Sequence, residues 1–360
     1  MKTLNVNGKF LSQETTGVQR YAAEIVRAWD EGLDDGWIDR NRFSICVHAP
    51  RGILQRPAYK HITVDIGSTS GRVWEQIELP LRARGALLFS PYAAAPVLQP
   101  RHAVTIHDAG AAATPHQYSW KFRAYCSIVF RWLGHSCAPI FTVSEFSRDE
   151  LHQFYSIPKE KVIVLSPGCD HLLRVSPDAE ILARHNLKKD KFVLCVSSRS
   201  IIKNFDGLSK AFRKLTQGGL KLAVAGRTRR HLIGAESGKV NADVIELGYV
   251  TDRELRCLYE NAALFAYPSF YEGFGIPPIE AMSCGCPVLV ARSSSLPEAC
   301  EDAALYCDPD NIDDIANGMA RILYDPQLAQ ELRRRGIQRA AQLTARGSAV
   351  RLWSELVPFL

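Results

Sequence analysis

Pro268-Ser-Phe-Tyr-Glu-Gly-Phe-Gly-Ile-Pro-Pro-Ile-Glu-Ala-Met282 decides how this chain is read. The stretch sets two carboxylates, Glu272 and Glu280, eight positions apart around a Gly-Phe-Gly turn. The apolar run Leu264 to Tyr267 ahead of it has the composition of a strand. A helix is expected to begin near Pro277, because proline suits the first helical turn, where no N–H is needed. The free N–H groups of such a turn carry partial positive charge and favour a phosphate or an anionic sugar group. Gly273 and Gly275 allow a ligand to approach the main chain. Glu272 precedes the turn, and Glu280 is expected in the first helical turn. Both can then reach one ligand, and carboxylates accept hydrogen bonds from vicinal sugar hydroxyls. The plain alternative is an ordinary strand-turn-helix with two solvated glutamates.

Outward from this stretch, short apolar runs alternate with helical patterns. In the first half the runs are Leu4–Asn7, Phe43–His48, Ile62–Ile66, Ala86–Ser90, Ala103–His107, Ile140–Ser144 and Val162–Leu165. In the second they are Phe192–Val196, Leu220–Ala225, Val244–Leu247, Leu264–Tyr267, Pro287–Val290 and Ala304–Cys307. Near-continuous apolar strands separated by helices indicate parallel sheets covered on both faces. Val18, Tyr21, Ile25 and Trp29 make a core stripe at helical spacing, as do Ile312, Ile315, Met319, Ile322 and Leu323. Thr251-Asp-Arg-Glu254 is a capping box. Two sets of about six strands predict an α/β protein of two doubly wound, parallel-sheet, Rossmann-like domains. Turn residues cluster at Ser166-Pro-Gly-Cys-Asp170, so the expected domains are 1–168 and 169–343, with 344–360 as a C-terminal helix crossing back to the first. Ligands of doubly wound sheets bind at the carboxyl ends of strands, so an interdomain cleft is the expected site.

Composition narrows the classes. With 360 residues, 46% hydrophobic and 23% charged, the chain reads as globular and too long for one core. No apolar run approaches the roughly 18 residues that span a bilayer. The first residues lack a signal-peptide core, so a cytoplasmic protein is expected. Its ten cysteines sit mostly in apolar runs and read as reduced core residues. A net charge of +6 suits phosphorylated ligands or an anionic membrane and is too weak to argue for nucleic acid. No acid lies between Asp108 and Glu145, while Lys121, Arg123 and Arg131 interleave with Trp120, Phe122, Tyr125, Phe130 and Trp132. This segment, roughly residues 118–135, fits a helix lying on a membrane interface and equally a core helix with solvated arginines.

Further loops carry candidate chemistry. Val196-Ser-Ser-Arg-Ser-Ile-Ile-Lys-Asn204 joins a strand to a helix and offers Arg199 and Lys203, two cations suited to a diphosphate or simply solvated. Gly17 sits at a helix start after the first strand, a second candidate anion site. His107-Asp108 ends a strand; such a histidine can bind a hydroxyl or act as acid or base, and is more often structural. Asp308-Pro-Asp310 looks like a metal-binding Asp-x-Asp pair, but a helix N-cap explains it better. Nothing else points to a metal. Dinucleotide and Walker fingerprints are absent.

Together these pieces resemble glycosyltransferase family 4, the retaining GT-B glycosyltransferases. The likeness runs nearly end to end through Thr16-Gly-Val-Gln-Arg-Tyr21, Thr105-Ile-His-Asp108, Thr142-Val-Ser-Glu-Phe-Ser147, Lys203-Asn204, Tyr271 to Met282, Gly285-Cys-Pro-Val-Leu289 and Ser295-Leu-Pro-Glu298. The resemblance implies that the first domain binds the acceptor and the second the nucleotide sugar. It implies that Glu272 contacts donor-sugar hydroxyls, that the amides of Gly273, Phe274 and Gly275 hold the sugar and distal phosphate, and that Glu280 binds the ribose. Arg199 and Lys203 would neutralise the diphosphate, Gly17 would lie beneath it, and His107 would lie near the donor sugar. Two departures stand out. Ile202-Lys203-Asn204 replaces the family's Arg-Lys-Asn, and Leu343-Thr-Ala345 replaces its aromatic turn before the last helix.

The expected chemistry is retaining sugar transfer without a metal, with the leaving phosphate taking the acceptor proton and domain closure excluding water. Likeness to polysaccharide mannosyltransferases implies a GDP-mannose donor and a lipid-linked or oligosaccharide acceptor in cell-surface polysaccharide synthesis, at the inner membrane face. A UDP-sugar donor, a sugar-nucleotide 2-epimerase and a catalytically silent scaffold of the same fold are the rivals.

Overall fold

The computed structural model describes residues 1–54, 56–92, 95–197, 200–215, 219–226 and 243–360. Its strands are β1 (Lys2–Asn7), β2 (Phe43–Ala49), β3 (Thr63–Ile66), β4 (Leu87–Ser90), β5 (His102–Thr105), β6 (Ile140–Thr142), β7 (Val162–Val164), β8 (Phe192–Val196), β9 (Lys221–Ala225), β10 (Val244–Gly248), β11 (Leu264–Tyr267), β12 (Val288–Ala291) and β13 (Leu305–Cys307). They form a seven-stranded sheet ordered β3-β2-β1-β4-β5-β6-β7 and a six-stranded sheet ordered β10-β9-β8-β11-β12-β13. Every strand pairing is parallel. Each predicted apolar run is a strand, with ends no more than two residues from the expected ones.

The strands read as continuous apolar runs because both faces of each sheet are covered. In the first sheet Phe89, Ala103 and Phe141 pack into one core, while Val104 and Ile140 pack into another. The chain divides into two compact units, Met1–Gly168 with Thr344–Leu360, and Cys169–Leu343. In the first unit the helix Gly17–Asp35 buries Tyr21, Ile25 and Trp29, with Val18 half-buried. The last helix, Ala345–Leu356, packs against it: Trp29 Nε1 donates to Ala349 O at 3.0 Å, and the rings of Trp29 and Trp353 meet at 5.8 Å. Thr344 caps that helix, accepting from Gly347 N at 3.1 Å, so an aromatic turn is not needed to start it. The second unit has its own core, built on Val193, Cys195, Leu222, Val224, Leu264 and Leu289.

Strand order places the chemistry. In the second unit the sequence of strands reverses between β8 and β11, and in the first between β1 and β4. In doubly wound sheets, connections leaving the two central strands diverge at such a reversal, and ligands bind outside the carboxyl ends there.

Candidate active site

Lys203 follows β8 and Glu272 follows β11, so the two loops at the reversal point of the second sheet supply one cation and one carboxylate. Lys203 Nζ donates to Glu272 Oε1 at 2.6 Å and to Tyr267 Oη at 2.7 Å. Its ammonium also lies 5.2 Å from the centre of the Tyr267 ring. Glu272 and Tyr267 are buried, whereas a quarter of the lysine side chain is exposed. Burial, and then the Glu272 carboxylate, raise the Tyr267 phenol well above its ordinary value, so it stays protonated.

The lysine loop is pinned to the glutamate loop through main chain. Ile202 O accepts from Phe270 N at 2.8 Å and from Ser269 Oγ at 3.0 Å. Asn204 takes φ +51°, accepts from Gly207 N at 3.2 Å to cap the helix Phe205–Arg213, and donates to Pro309 O at 2.7 Å. Ile202, the departure from the family pattern, therefore joins the two loops through its carbonyl, which any residue type supplies. Arg199, the expected second cation, lies outside the described residues.

The helix after the turn runs Ile276–Ser283, one residue earlier than expected, with Gly275 as its cap at φ +105°. A Cβ at Gly275 would meet Leu296 Cδ2 at 2.7 Å, so both the angle and the space call for glycine. Pro277 and Pro278 carry no N–H, so the donors at this helix start come from Ile276 and the Gly273-Phe-Gly275 turn. Phe274 is buried. Glu280 is the fifth helical residue, just past the first turn where it was expected, because the helix starts earlier. The two glutamates have different partners: Glu280 Oε1 lies 3.5 Å from His171 Nε2, and Tyr259 Oη donates to Glu280 Oε2 at 3.4 Å.

In the first unit, Gly17 is the exposed first residue of its helix. Gln19 Oε1 accepts from Thr16 N at 3.2 Å, closing a capping box. One turn on, the Tyr21 ring meets the half-buried His107 edge-on at 4.9 Å and 88°. His107 Nε2 donates to Pro91 O at 3.0 Å, which leaves Nδ1 as its acceptor. Burial lowers the His107 pKa against the opposing pull of the Pro91 carbonyl and Asp108, so the ring is neutral near pH 7. Asp308 Oδ1 accepts from Asp310 N at 3.0 Å, but the helix cap expected of this pair is Asn311, which accepts from Asp313 N at 3.0 Å and Asp314 N at 3.1 Å. Asn311 wins because its side chain stands directly before the first helical residue. Among the described residues, no three His, Cys, Asp or Glu side chains gather as a metal-binding set.

Sequence reasoning missed the residues that support Glu272. Tyr267 read as the last residue of a strand. Ser293, Ser294 and Ser295, after β12, grip the loop: Ser294 Oγ accepts from Glu272 N at 3.0 Å, Ser295 Oγ donates to Glu272 O at 2.9 Å, and Ser293 Oγ donates to Ser269 O at 2.7 Å. The one available signal was three serines one residue after an apolar run. His171 and Tyr259 gave none.

Comparison with known proteins places the chain among glycosyltransferases. Residues 178–341 match the family Glycosyl transferases group 1, and residues 82–171 match Glycosyltransferase Family 4. The chain is 31% identical over 256 residues to O-antigen chain mannosyltransferase B of Escherichia coli, covering 68% of this chain and 67% of that relative. It is 25% identical to O-antigen chain mannosyltransferase RfbU of Salmonella typhimurium, covering 85% and 87%. A serotype-specific mannosyltransferase WbdA of E. coli matches at 28% over 57% of this chain, which spans only 27% of that larger protein. Among solved structures, HepE of Anabaena with UDP-glucose aligns over 100% of both chains, with TM-score 0.74 and 17% identity. Sucrose-phosphate synthase of Thermosynechococcus elongatus aligns over 99% and 98%, with TM-score 0.73 and 17% identity. These structures establish the GT-B fold, and with the sequence relatives they show that the chain belongs to glycosyltransferase family 4.

Proposed function

We propose that this glycosyltransferase moves mannose from GDP-mannose, with retention at the anomeric carbon, to a lipid-linked or oligosaccharide acceptor in cell-surface polysaccharide synthesis. The observation that carries the reading is the Lys203–Glu272 pair beside a glycine-capped helix start, at the strand reversal of the second sheet. The names of the O-antigen relatives supply the sugar.

In this reading Lys203, with Arg199, meets the charge that develops on the departing diphosphate, and the turn amides of Gly273, Phe274 and Gly275 face the same oxygens. Glu272 accepts from donor-sugar hydroxyls and Glu280 from the ribose. Gly17 lies under the diphosphate from the first unit. His107, neutral and with Nδ1 as acceptor, receives a hydroxyl of the transferred sugar. The acceptor attacks the face from which the diphosphate leaves, and the leaving phosphate takes its proton. No metal takes part. The acceptor is met at the inner face of a membrane to which the protein binds peripherally; among the described residues no helix is long and apolar enough to cross one.

Thermal stabilisation by GDP, GDP-mannose, UDP and UDP-glucose tests the donor. A ligand about 100-fold above its Kd adds roughly 2.7 kcal/mol to the folded state, a shift of several degrees. A shift confined to GDP and GDP-mannose is expected. A UDP-selective shift would discard mannose from GDP, and no shift at all would favour a silent scaffold.

A further inference from the structure

Residues 71–82 form a helical segment that is apolar on its outer side. An α turn Gly71–Val73, a π turn Trp74–Glu78 and an α turn Leu79–Arg82 follow without a break. Trp74 and Leu79 pack inward with Ala83 and Leu88. Facing solvent are Val73, Ile77 and Leu81, at 54%, 58% and 65% exposure and four residues apart. A water-facing helix surface is ordinarily polar, so a stripe of three branched aliphatic residues calls for a partner.

The segment lies beside the helix Trp120–Ser136. The Arg72 guanidinium stands 4.9 Å over the Tyr125 ring, and Tyr125 Oη donates to Glu75 Oε1 at 3.3 Å. Residues 95–98 bridge the two: Gln76 accepts from Val97 N at 3.0 Å, and Trp132 Nε1 donates to Val97 O at 2.8 Å. The long helix buries Cys126, Val129, Phe130 and Leu133. At 3.6 residues per turn, Lys121, Ile128, Arg131 and Trp132 share its opposite, exposed side. The basic, aromatic segment is thus a core helix on one side and an apolar-cationic surface on the other.

Charge selects the occupant. Arg72, Lys121, Arg123 and Arg131 are exposed here, and residues 109–144 hold no acid. The acids of the neighbouring segment are engaged: Glu75 is buried against Lys9, and Glu78 accepts from Ser68 N and Thr69 N at 2.9 Å each. A second copy seated symmetrically would set these cations against themselves. An anionic bilayer meets them with phosphates and takes the aliphatic and indole groups into its interface.

We propose that residues 71–82 and the helix Trp120–Ser136 form one docking surface for an anionic lipid bilayer, with Val73, Ile77, Leu81, Ile128 and Trp132 inserted and Arg72, Lys121 and Arg131 on headgroup phosphates. The inference deepens, and rests on, the reading that the acceptor is met at a membrane.

Flotation of the full chain with phosphatidylcholine vesicles, with and without phosphatidylglycerol, tests it. The chain should float only with the anionic vesicles, and less at high salt. Ile77→Asp with Leu81→Asp should bind roughly tenfold more weakly, and Lys121→Glu with Arg131→Glu should lose the anionic preference. Tyr324→Asp, at an exposed site in the second unit, should bind as the parent chain does. Melting curves identify any variant that fails to fold, and the other pair then decides. A parent chain that stays with the unbound fraction, or both folded double variants floating as it does, overturns the proposal. So does a dimer in sedimentation velocity that Ile77→Asp with Leu81→Asp dissolves without change in flotation, which assigns the face to a second copy. The GDP shift reads the donor separately: flotation without that shift refutes the donor and leaves the surface standing.

Discussion

In the proposed reading the chemistry turns on Lys203, and its surroundings set what its loss should do. Two of its three donors go to Glu272 and Tyr267. Lys203→Ala or Glu272→Ala should lower turnover by about 100-fold or more, the usual loss when one group aimed at developing charge is removed. Melting temperatures should fall by only a few degrees, because half of the pair is partly exposed. Steady-state kinetics with GDP-mannose and circular-dichroism melts check both, and near-normal turnover in both variants would sink the site assignment. A second residue-level expectation concerns pH. His102 is buried, with Nε2 3.0 Å from Ser90 Oγ and, among the described residues, no partner on Nδ1, and burial pushes its pKa down to about 3. The unfolded chain binds this proton near pH 6.5, so the unfolded state holds more protons between the two values. The stability contribution is full above pH 6.5 and is lost as pH falls toward 3, at up to about 1.4 kcal/mol per pH unit. Urea unfolding from pH 7 to 5 should show the decline, and His102→Gln should flatten it; an unchanged slope would assign the decline to other groups.

The helix Ile276–Ser283 depends on its cap more than on its interior. Gly275 combines φ +105° with a Leu296 methyl that a Cβ would strike. Gly275→Ala should therefore cost about 1–3 kcal/mol in strain, beyond any gain from a stiffer unfolded chain. The turn amides and Glu280 hang on the same cap, so donor KM should rise together with the loss in stability. An alanine variant with parental melting temperature and KM would show that the turn relaxes freely. The triplet Ser293 to Ser295 acts at this level too, tying the glutamate loop to the segment after β12.

In the first unit, fold integrity depends on the end of the chain. Ala349, Leu352, Trp353 and Leu356 belong to its core. Trp353 meets Trp29 and, at 5.5 Å, Phe43. Trp353→Ala should destabilise the first unit by about 3–5 kcal/mol, the range for deleting a large aromatic side chain from a core. Chemical denaturation should show an earlier transition with the GDP-induced shift retained; coincident parental transitions would mean the last helix is dispensable. Gly168 makes the return possible: a Cβ there would lie 2.1 Å from Ala345 N, so the chain leaving the unit passes directly against the chain coming back.

Much of this was legible in local pattern. Apolar runs mark the strands because both sheet faces are buried, and Gly-Phe-Gly-Ile-Pro-Pro marks the turn because those φ angles and missing N–H groups suit a helix start. The capping box at Thr251–Glu254 forms as read, since both of its partners lie within one turn. Long-range pairings were not legible. Nothing in the residues says that β8 lies beside β11, yet that adjacency brings Lys203 to Glu272 across 69 positions. The same holds for Tyr267 turning from core strand to lysine partner, for the serines beneath Glu272, and for the outward aliphatic stripe at Val73, Ile77 and Leu81. Helical and strand periods record which side of an element is apolar. What that side meets depends on contacts between segments far apart in sequence, and those are set when the whole chain packs.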